Sequence, residues 1–270
     1  MAFAERMPAI GFGTAGLDGD TCATAVGTAL EAGYRHVDTA EMYGNEAAVG
    51  RAIAAADVSR DDLVVATKVN SPNLAYDDVL EHARESREQL GLDVIDLLYV
   101  HWPIRAYDPE ETLAAFEDLH AEGVIRHVGV SNFTPALLAE AGELLSVPVA
   151  AHQVECHPYL PQAELRRLAS ADGHRLVAYS PLARGAVLAD PVIRDVAEAH
   201  GATPAQVALA WLASKAVVVP IPRSSSPAHV RENLRAVDLD LDARSIERID
   251  AIDRRERVVD FPEAPWNREA

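Results

Sequence analysis

Four side chains in this sequence together have the chemistry of a proton relay: a carboxylate at Asp38, a phenol at Tyr43, an ammonium at Lys68 and an imidazole at His101. Asp38, Lys68 and His101 each sit at the end of a short apolar run, and Tyr43 follows Asp38 by five residues. An Asp beside a Lys keeps the ammonium charged. A charged ammonium beside a phenol favours the phenolate and draws the phenol pKa down from its reference of about 10. Such a phenol can donate a proton near neutral pH, while a neutral imidazole beside it orients a carbonyl oxygen. The four groups would polarise and protonate a C=O while something else attacks the carbon, and hydride from a nicotinamide is the obvious attacker. Singly, each has an ordinary explanation: Asp38 a helix cap, Lys68 a snorkelling lysine, Tyr43 a packed aromatic, His101 a satisfied core histidine. Their joint occurrence at successive run ends carries the reading. Lys68 sharpens it, because Lys68 and Lys215 are the only lysines among 24 Lys+Arg, which leaves 24 − 2 = 22 arginines. A lysine kept in such a chain implies a task that arginine cannot perform.

The elements that must position these residues are legible as eight β-branched apolar runs: Ala9–Thr14, Arg35–Asp38, Leu63–Val69, Ile95–His101, Ile125–Ser131, Ala150–Glu155, Arg175–Tyr179 and Val217–Pro220. Between them lie stretches with helical spacing and start signals, among them the Asp77-Asp78-Val79-Leu80 segment and the Pro-initiated segments at Pro109, Pro135 and Pro204. Near-continuous apolar strands alternating with helices predict a parallel sheet covered outside, and eight such units in about 250 residues predict a closed (β/α)8 TIM barrel. An open doubly wound sheet is the alternative. No linker interrupts the chain, so residues 1–270 are expected to form a single α/β domain, with the tail Val258–Ala270 packing as an extended segment over the barrel mouth. In a TIM barrel the chemistry sits at the C-terminal strand ends. The remaining residues there, Ser131, Asn132, Gln153, Glu155, Tyr179 and Ser180, join the candidate list.

These residues resemble the aldo-keto reductase family. Gly33-Tyr34-Arg35-His36-Val37-Asp38-Thr39-Ala40, followed by Tyr43-Gly44-Asn45-Glu46 and Val49-Gly50, is similar to the family's first signature, and Met7–Thr14 to its opening strand. Gly129-Val130-Ser131-Asn132-Phe133 and Gln153-Val154-Glu155-Cys156-His157-Pro158-Tyr159 resemble its central motifs. The segment Ile221–Asn233 resembles a third signature that grips the adenosine end of the cofactor. Five motifs occur in order from about Met7 to Asn233. The resemblance implies the barrel and NAD(P)-dependent carbonyl reduction, with Tyr43 as general acid, Lys68 and Asp38 tuning it, and His101 orienting the carbonyl. It implies that Ser131, Asn132 and Gln153 hold the nicotinamide carboxamide, that Tyr179 stacks on the ring, and that Ser180, Leu182 and Arg184 contact the pyrophosphate. Arg223, Ser224, His229, Glu232 and Asn233 fall in the third signature. His229 stands where the family usually has an arginine against the 2′-phosphate, and a neutral imidazole attracts a dianion less than a guanidinium fork does. NADP(H) is therefore expected as cofactor, with NAD(H) also used. Trp102, with Leu17 or Gly16 from the first loop and Trp266 from the tail, is expected to line an open pocket. That suits small polar carbonyls of the aldehyde, aldose or keto-sugar-acid kind, as in the family's prokaryotic diketogluconate-reductase-like branch. The resemblance also admits a second class, a nicotinamide-nucleotide-binding regulatory subunit of a membrane channel with little turnover. His152, Cys156 and His157 invite a metal assignment, but the family motif carries such residues without metal, and none is expected.

Composition narrows the partners. With 24 Lys+Arg against 42 Asp+Glu the formal net charge is 24 − 42 = −18, which disfavours nucleic acid and anionic membrane as partners. No stretch approaches the roughly 18 apolar residues of a membrane span, and two distant cysteines, Cys22 and Cys156, suit a reducing cytoplasm. A monomer or weak dimer acting on a small-molecule carbonyl is expected. A GC-rich genome explains the arginine bias but not the charge, whose self-repulsion is relieved where salt shortens the Debye length. Adaptation to high salt predicts a melting temperature that climbs steeply between low and molar KCl. A melting temperature indifferent to salt leaves only the genomic explanation.

Overall fold

All eight apolar runs form strands in the computed structural model, which describes residues 3–268. They are β1 (Phe12–Gly13), β2 (His36–Asp38), β3 (Val64–Val69), β4 (Ile95–Val100), β5 (Ile125–Ser131), β6 (Val149–Glu155), β7 (Arg175–Tyr179) and β8 (Val218–Pro220). Each pairs in parallel with the next in chain order. The ring closes where the Gly11 N–H donates to the Pro220 carbonyl at 2.9 Å and the Gly13 N–H to the Pro222 carbonyl at 3.1 Å. An open doubly wound sheet would reverse its strand order at a switch point; this one runs in order and closes.

The short helix α1 (Phe3–Arg6) precedes β1. The outer layer is α2 (Gly19–Ala32), α3 (Glu46–Ala55), α4 (Tyr76–Gln89), α5 (Pro109–Ala121), α6 (Pro135–Leu144) and α7 (Ala163–Asp172), then α8 (Pro191–His200), α9 (Pro204–Ala213), α10 (Pro227–Leu234) and α11 (Ala243–Asp250). The proline starts are explained locally. Proline at the first helical position loses only an N–H that has no intrahelical partner, and the preceding side chain caps the turn in α5, α6, α8 and α9, though not in α10. The Asp108 Oδ1 accepts from the Glu111 N–H at 3.0 Å. Thr203 and Gln206 form a reciprocal capping box at the start of α9.

Strand residues alternate between two cores, as period-2 geometry requires. The outward set packs with the helices, for example Val65, Leu98, Val100, Val128 and Val130. The inward set of Val64, Ala66, Leu97, Tyr99, Ala151, Val177, Val219 and Ile221 fills the barrel, with Met7 joining it. One step further along the same inward rows come Asp38, Lys68, His101, Ser131, Gln153 and Tyr179, so strand parity alone gathers the candidate residues at one end of the barrel.

After α11 the chain crosses to that end. Phe261 and Trp266 put their rings 4.8 and 5.7 Å from that of Trp102, and Val259 lines the mouth. The tail is not extended throughout, since Pro265–Asn267 form a 3-10 turn; residues 269–270 lie outside the described residues.

Tyr99 shows how tightly the interior is filled. A Cβ on Gly129 would lie 2.5 Å from the Tyr99 Cδ1, so β5 carries glycine where β4 carries a large ring. Gly129→Ala overpacks this contact and should cost about 1–3 kcal/mol in chemical denaturation. An unchanged midpoint would show that the Tyr99 ring moves aside freely.

Candidate active site

The deepest polar contact at the barrel mouth joins β2 to β3. Lys68 is 1% exposed; its Nζ donates to the Asp38 Oδ1 at 2.5 Å and to the Thr39 carbonyl at 2.6 Å. The other carboxylate oxygen of Asp38 accepts from the Gln153 Nε2 at 2.6 Å, so one acid binds groups from two distant strands. The Lys68 Nζ also stands 5.2 Å from the centroid of the Tyr43 ring and 5.8 Å from that of Tyr99. Burial works against the ammonium, but Asp38 and Tyr43 outweigh it and hold Lys68 above the usual lysine range.

Tyr43 ends a 3-10 turn, Glu41–Tyr43, that Gly44 closes in the left-handed region at φ 62°, a conformation glycine adopts without steric cost. The adjacent Asn45 ties this turn to the first loop, its Nδ2 donating to the carbonyls of Thr14 and Leu17 at 3.0 and 2.8 Å while its Oδ1 accepts from the Thr39 hydroxyl at 2.6 Å. Tyr43 lies edge-on to His101, with ring centroids 5.9 Å apart at 80°. Burial, reinforced by Asp38, raises the phenol and Lys68 opposes it, and the phenol remains above its ordinary value. This corrects the expectation of a phenol lowered toward neutrality: in this site desolvation outweighs the ammonium, and Tyr43 keeps its proton. Burial and then the Lys68 charge push His101 well below the ordinary histidine range, so its ring is neutral at pH 7.

The expected cofactor side is continuous with this pair. Ser131 Oγ donates to the Gln153 carbonyl at 3.0 Å. The Asn132 Nδ2 donates to the His101 carbonyl and to the Ser131 Oγ, both at 3.0 Å. The Asn132 Oδ1 accepts from the Tyr179 hydroxyl at 2.8 Å. Asn132 itself has φ 62°, and beyond β7 Ser180, Ala183 and Arg184 have φ 47°, 47° and 52°. Non-glycine residues held there cost of order 1–3 kcal/mol each and collect at ligand sites.

Between these walls lies a cleft of about 730 Å³ lined by Asp38, Tyr43, His101, Trp102, Ser131, Asn132, Gln153, Tyr179, Ser180, Leu182, Arg184 and Arg223. The Arg223 Nε is anchored on the Ala15 carbonyl at 3.0 Å. Two substrate-side expectations are corrected. Leu17 packs into the core between barrel and helices and is 4% exposed, whereas Gly16 lines the cleft. Trp266 stands behind Trp102 and does not line the cleft; its Nε1 donates to the Asp260 carboxylate at 2.9 Å. Ser224, His229, Glu232 and Asn233 also lie beyond the lining. The Ser224 Oγ accepts from the Ser226 N–H at 3.0 Å. His229 is exposed on the first turn of α10 and Asn233 is buried. Glu232 accepts from the Thr203 hydroxyl at 2.6 Å. Met42, Val259 and Tyr99 were missed. Period-2 counting back from His101 would have found Tyr99. Among the described residues no group of three or more His, Cys, Asp or Glu is placed to hold a metal ion.

Comparison with known proteins agrees with the geometry. Residues 9–254 match the Aldo/keto reductase family. Methylglyoxal reductase DkgB of Salmonella typhi is 40% identical over 256 residues, covering 94% of this chain and 96% of that protein. An aldo-keto reductase of Mycolicibacterium smegmatis is 39% identical over 259 residues, 94% of this chain and 92% of the relative. The crystal structure of a Bombyx mori aldo-keto reductase in complex with NADP superposes with a TM-score of 0.88 at 30% identity, covering 95% of this chain and 92% of that one. The chain belongs to the aldo/keto reductase family, whose fold and site define an NAD(P)-dependent oxidoreductase that reduces carbonyl groups. Nothing found favours the regulatory-subunit alternative, since these relatives carry reductase names.

The pH response follows from the shifts. Tyr43 is raised, so it is protonated and able to donate throughout the neutral range. His101 is depressed, so it stays neutral as pH falls through about 6.5, the ordinary histidine value. Carbonyl reduction should therefore show kcat/KM flat through that point and declining only on the far alkaline side, above the usual phenol range. An acid limb centred near ~6.5 that His101→Asn abolishes would contradict this assignment.

Proposed function

We propose that this protein reduces small polar aldehydes and ketones to alcohols with NADPH, using NADH as well, and that Tyr43 is the general acid. The observation that carries the reading is the sharing of the Asp38 carboxylate between Lys68 and Gln153, which locks the proton-donating groups and the expected nicotinamide-side groups into one network.

In this mechanism a carbonyl substrate enters beside Trp102 and sets its oxygen between the Tyr43 hydroxyl and the neutral His101 ring. His101 orients the carbonyl, and Tyr43 transfers its proton as negative charge develops on the oxygen. Lys68 stabilises the phenolate that remains, and Asp38 with Thr39 keeps the ammonium directed at it. The hydride comes from the reduced nicotinamide when NAD(P)H is bound. The residues present fit such a group. Asn132 Oδ1, which accepts from the Tyr179 hydroxyl, has a second lone pair to spare, which suits a carboxamide. Tyr179 offers a ring face on the cleft wall, and Arg184 and Arg223 supply cations for phosphates.

The named methylglyoxal reductase relative supports methylglyoxal and related small carbonyls as substrates. The same reading takes residues 1–270 as one domain, working in the cytoplasm as a monomer or weak dimer, adapted to salt, and without nucleic-acid or membrane partners. That no described helix is long and apolar enough to span a membrane accords with it.

Initial rates at 340 nm with methylglyoxal and glyceraldehyde, NADPH and NADH in parallel, test the proposal. Tyr43→Phe should lower kcat by about 10²–10⁴-fold with NADPH affinity unchanged. A variant retaining full turnover removes Tyr43 as the acid. The efficiencies with NADPH and NADH should lie within about tenfold of each other, a difference of roughly 1.4 kcal/mol. A steep NADPH preference that His229→Ala leaves unchanged removes the role given to His229.

A further inference from the structure

The turn that carries Tyr43 is held on one side by Asn45 and on the other by a carboxylate that the mechanism above does not use. Glu41 opens that turn, and three donors converge on its side chain. Its Oε2 accepts from the Asn70 N–H at 2.9 Å, its Oε1 accepts from the Asn73 Nδ2 at 2.6 Å, and the His82 Nδ1 stands 2.9 Å from the same Oε1. A ring nitrogen that close to an acceptor-only oxygen carries the proton. All three partners come from the segment after β3. Asn70 follows Lys68 by two residues, Ser71–Asn73 form a 3-10 turn, and His82 lies on α4.

The anchor is rigid, whereas the span it holds is short and open to solvent. The Ser71 carbonyl accepts from the Ala106 N–H at 3.2 Å and the Leu74 carbonyl from the buried Thr112 hydroxyl at 2.6 Å, so the segment after β3 is tied both to the loop after β4 and to α5. Between Glu41 and Gly44 stand only Met42 and Tyr43. Both line the cleft, and Met42 is 55% exposed, so it adds little packing. Inside the turn the Tyr43 N–H donates to the Ala40 carbonyl and the Gly44 N–H to the Glu41 carbonyl, each at 3.0 Å, bonds of the poorer 3-10 geometry. Asn45 alone would leave the turn hinged on the β2 side. Glu41 supplies the second fixed point, and that point lies on the strand that carries Lys68.

We propose that Glu41 is a positioning residue for the proton transfer, its carboxylate fixing the turn that carries Tyr43 against the end of β3 that carries Lys68. The inference rests on the carbonyl-reductase reading above and deepens it with a residue outside the cleft on which the transfer depends. The chemistry of the contact requires an acid. All three groups that touch Glu41 are donors, and an ionised carboxylate accepts on both oxygens, whereas an amide of the same shape turns its NH2 toward one of them. Glutamine at this position therefore replaces an attraction by a donor facing a donor, with almost no change in volume. The consequence falls on geometry. A general acid must stand about 2.6–3.2 Å from the atom it protonates, and a misplacement of about 1 Å costs on the order of 10²-fold in rate.

The test measures kcat and KM for methylglyoxal, NADPH affinity by fluorescence titration and amide hydrogen exchange by mass spectrometry, for the full-length wild type, Glu41→Gln, Asn73→Ala and the double variant. Glu41→Gln should speed exchange in the peptide covering residues 40–45 and lower kcat and kcat/KM together by about 10- to 100-fold. NADPH affinity should stay within about twofold, because none of the Glu41 partners belongs to the expected cofactor side. Asn73→Ala, which leaves the turn itself intact, should lower kcat by about 3- to 10-fold, and the double variant should fall no further than Glu41→Gln alone, as partners in one contact do. Unchanged kcat, a loss confined to KM, a parallel fall in NADPH affinity, or losses that add in the double variant each overturns the proposal. Unchanged kcat does so even where exchange quickens, since the contact is then structural alone, and exchange that Glu41→Gln leaves unchanged shows that the turn needs no such anchor. The exchange measurement needs no turnover. Faster exchange in Glu41→Gln, in a protein that reduces no carbonyl, would uphold the anchoring of Tyr43 and sink only the reductase reading.

Discussion

Everything at the barrel mouth is arranged around a buried ammonium that must remain charged. Taking Lys68 and Asp38 out of water costs several kcal/mol per ion, and their attraction offsets this only where the remaining donors and acceptors are satisfied. The structure meets that condition with few groups. Lys68 directs its Nζ donors at Asp38, Thr39 and the Tyr43 hydroxyl, and Asp38 gives its second oxygen to Gln153. Arginine at this position would bring five donors in a rigid fork into a space with three acceptors, which is why one of the two lysines in an arginine-rich chain stands here. The pair also fixes β2, β3 and β6 relative to one another, so the positions of the relay and of the groups across the cleft are one constraint.

The irregular parts of the chain serve that constraint. Asn45 bonds two carbonyls of the first loop while holding Thr39, so the turn bearing Tyr43 is fixed from the strand side and the loop side at once. One left-handed residue, Asn132, follows β5, and Ser180, Ala183 and Arg184 cluster after β7, where the backbone must turn away sharply to leave side chains facing the cleft. Glu155, accepting from the Val258 and Val259 N–H groups, does for the tail what Asn45 does for the first loop, converting a segment with no secondary structure of its own into a wall with defined positions.

Most of this architecture is legible in the sequence because it rests on short periods. Eight apolar runs predict eight strands, and the polar residues that close the second to seventh runs predict the upper inward layer of the barrel. The failures share a cause. Leu17 and Trp266 lie in segments without period-2 or 3.6 patterning, so nothing local indicates which way their side chains turn, and one faces the core while the other stands behind Trp102. Glu155 reads only as a run end, since its partners Val258 and Val259 lie more than a hundred residues further on. The direction of the Tyr43 shift was misjudged for a related reason. Residue types report the neighbouring charge, but the extent of desolvation depends on the closed barrel and the tail over it.

The charge of the molecule and the charge of its cleft pull in opposite directions, and geometry decides between them. The net charge of −18 is spread over the whole surface, where salt screens it within about 8 Å at physiological ionic strength and less at molar salt. Arg184 and Arg223 line one opening, where low-dielectric walls focus their field. Rising salt therefore relieves the repulsion that strains the folded surface while also weakening attraction at the open mouth. The buried Lys68–Asp38 pair is screened least. In concentrated salt the chemistry of the site depends on that pair, and recognition of anionic groups depends on contacts made at hydrogen-bond distance, where screening acts least.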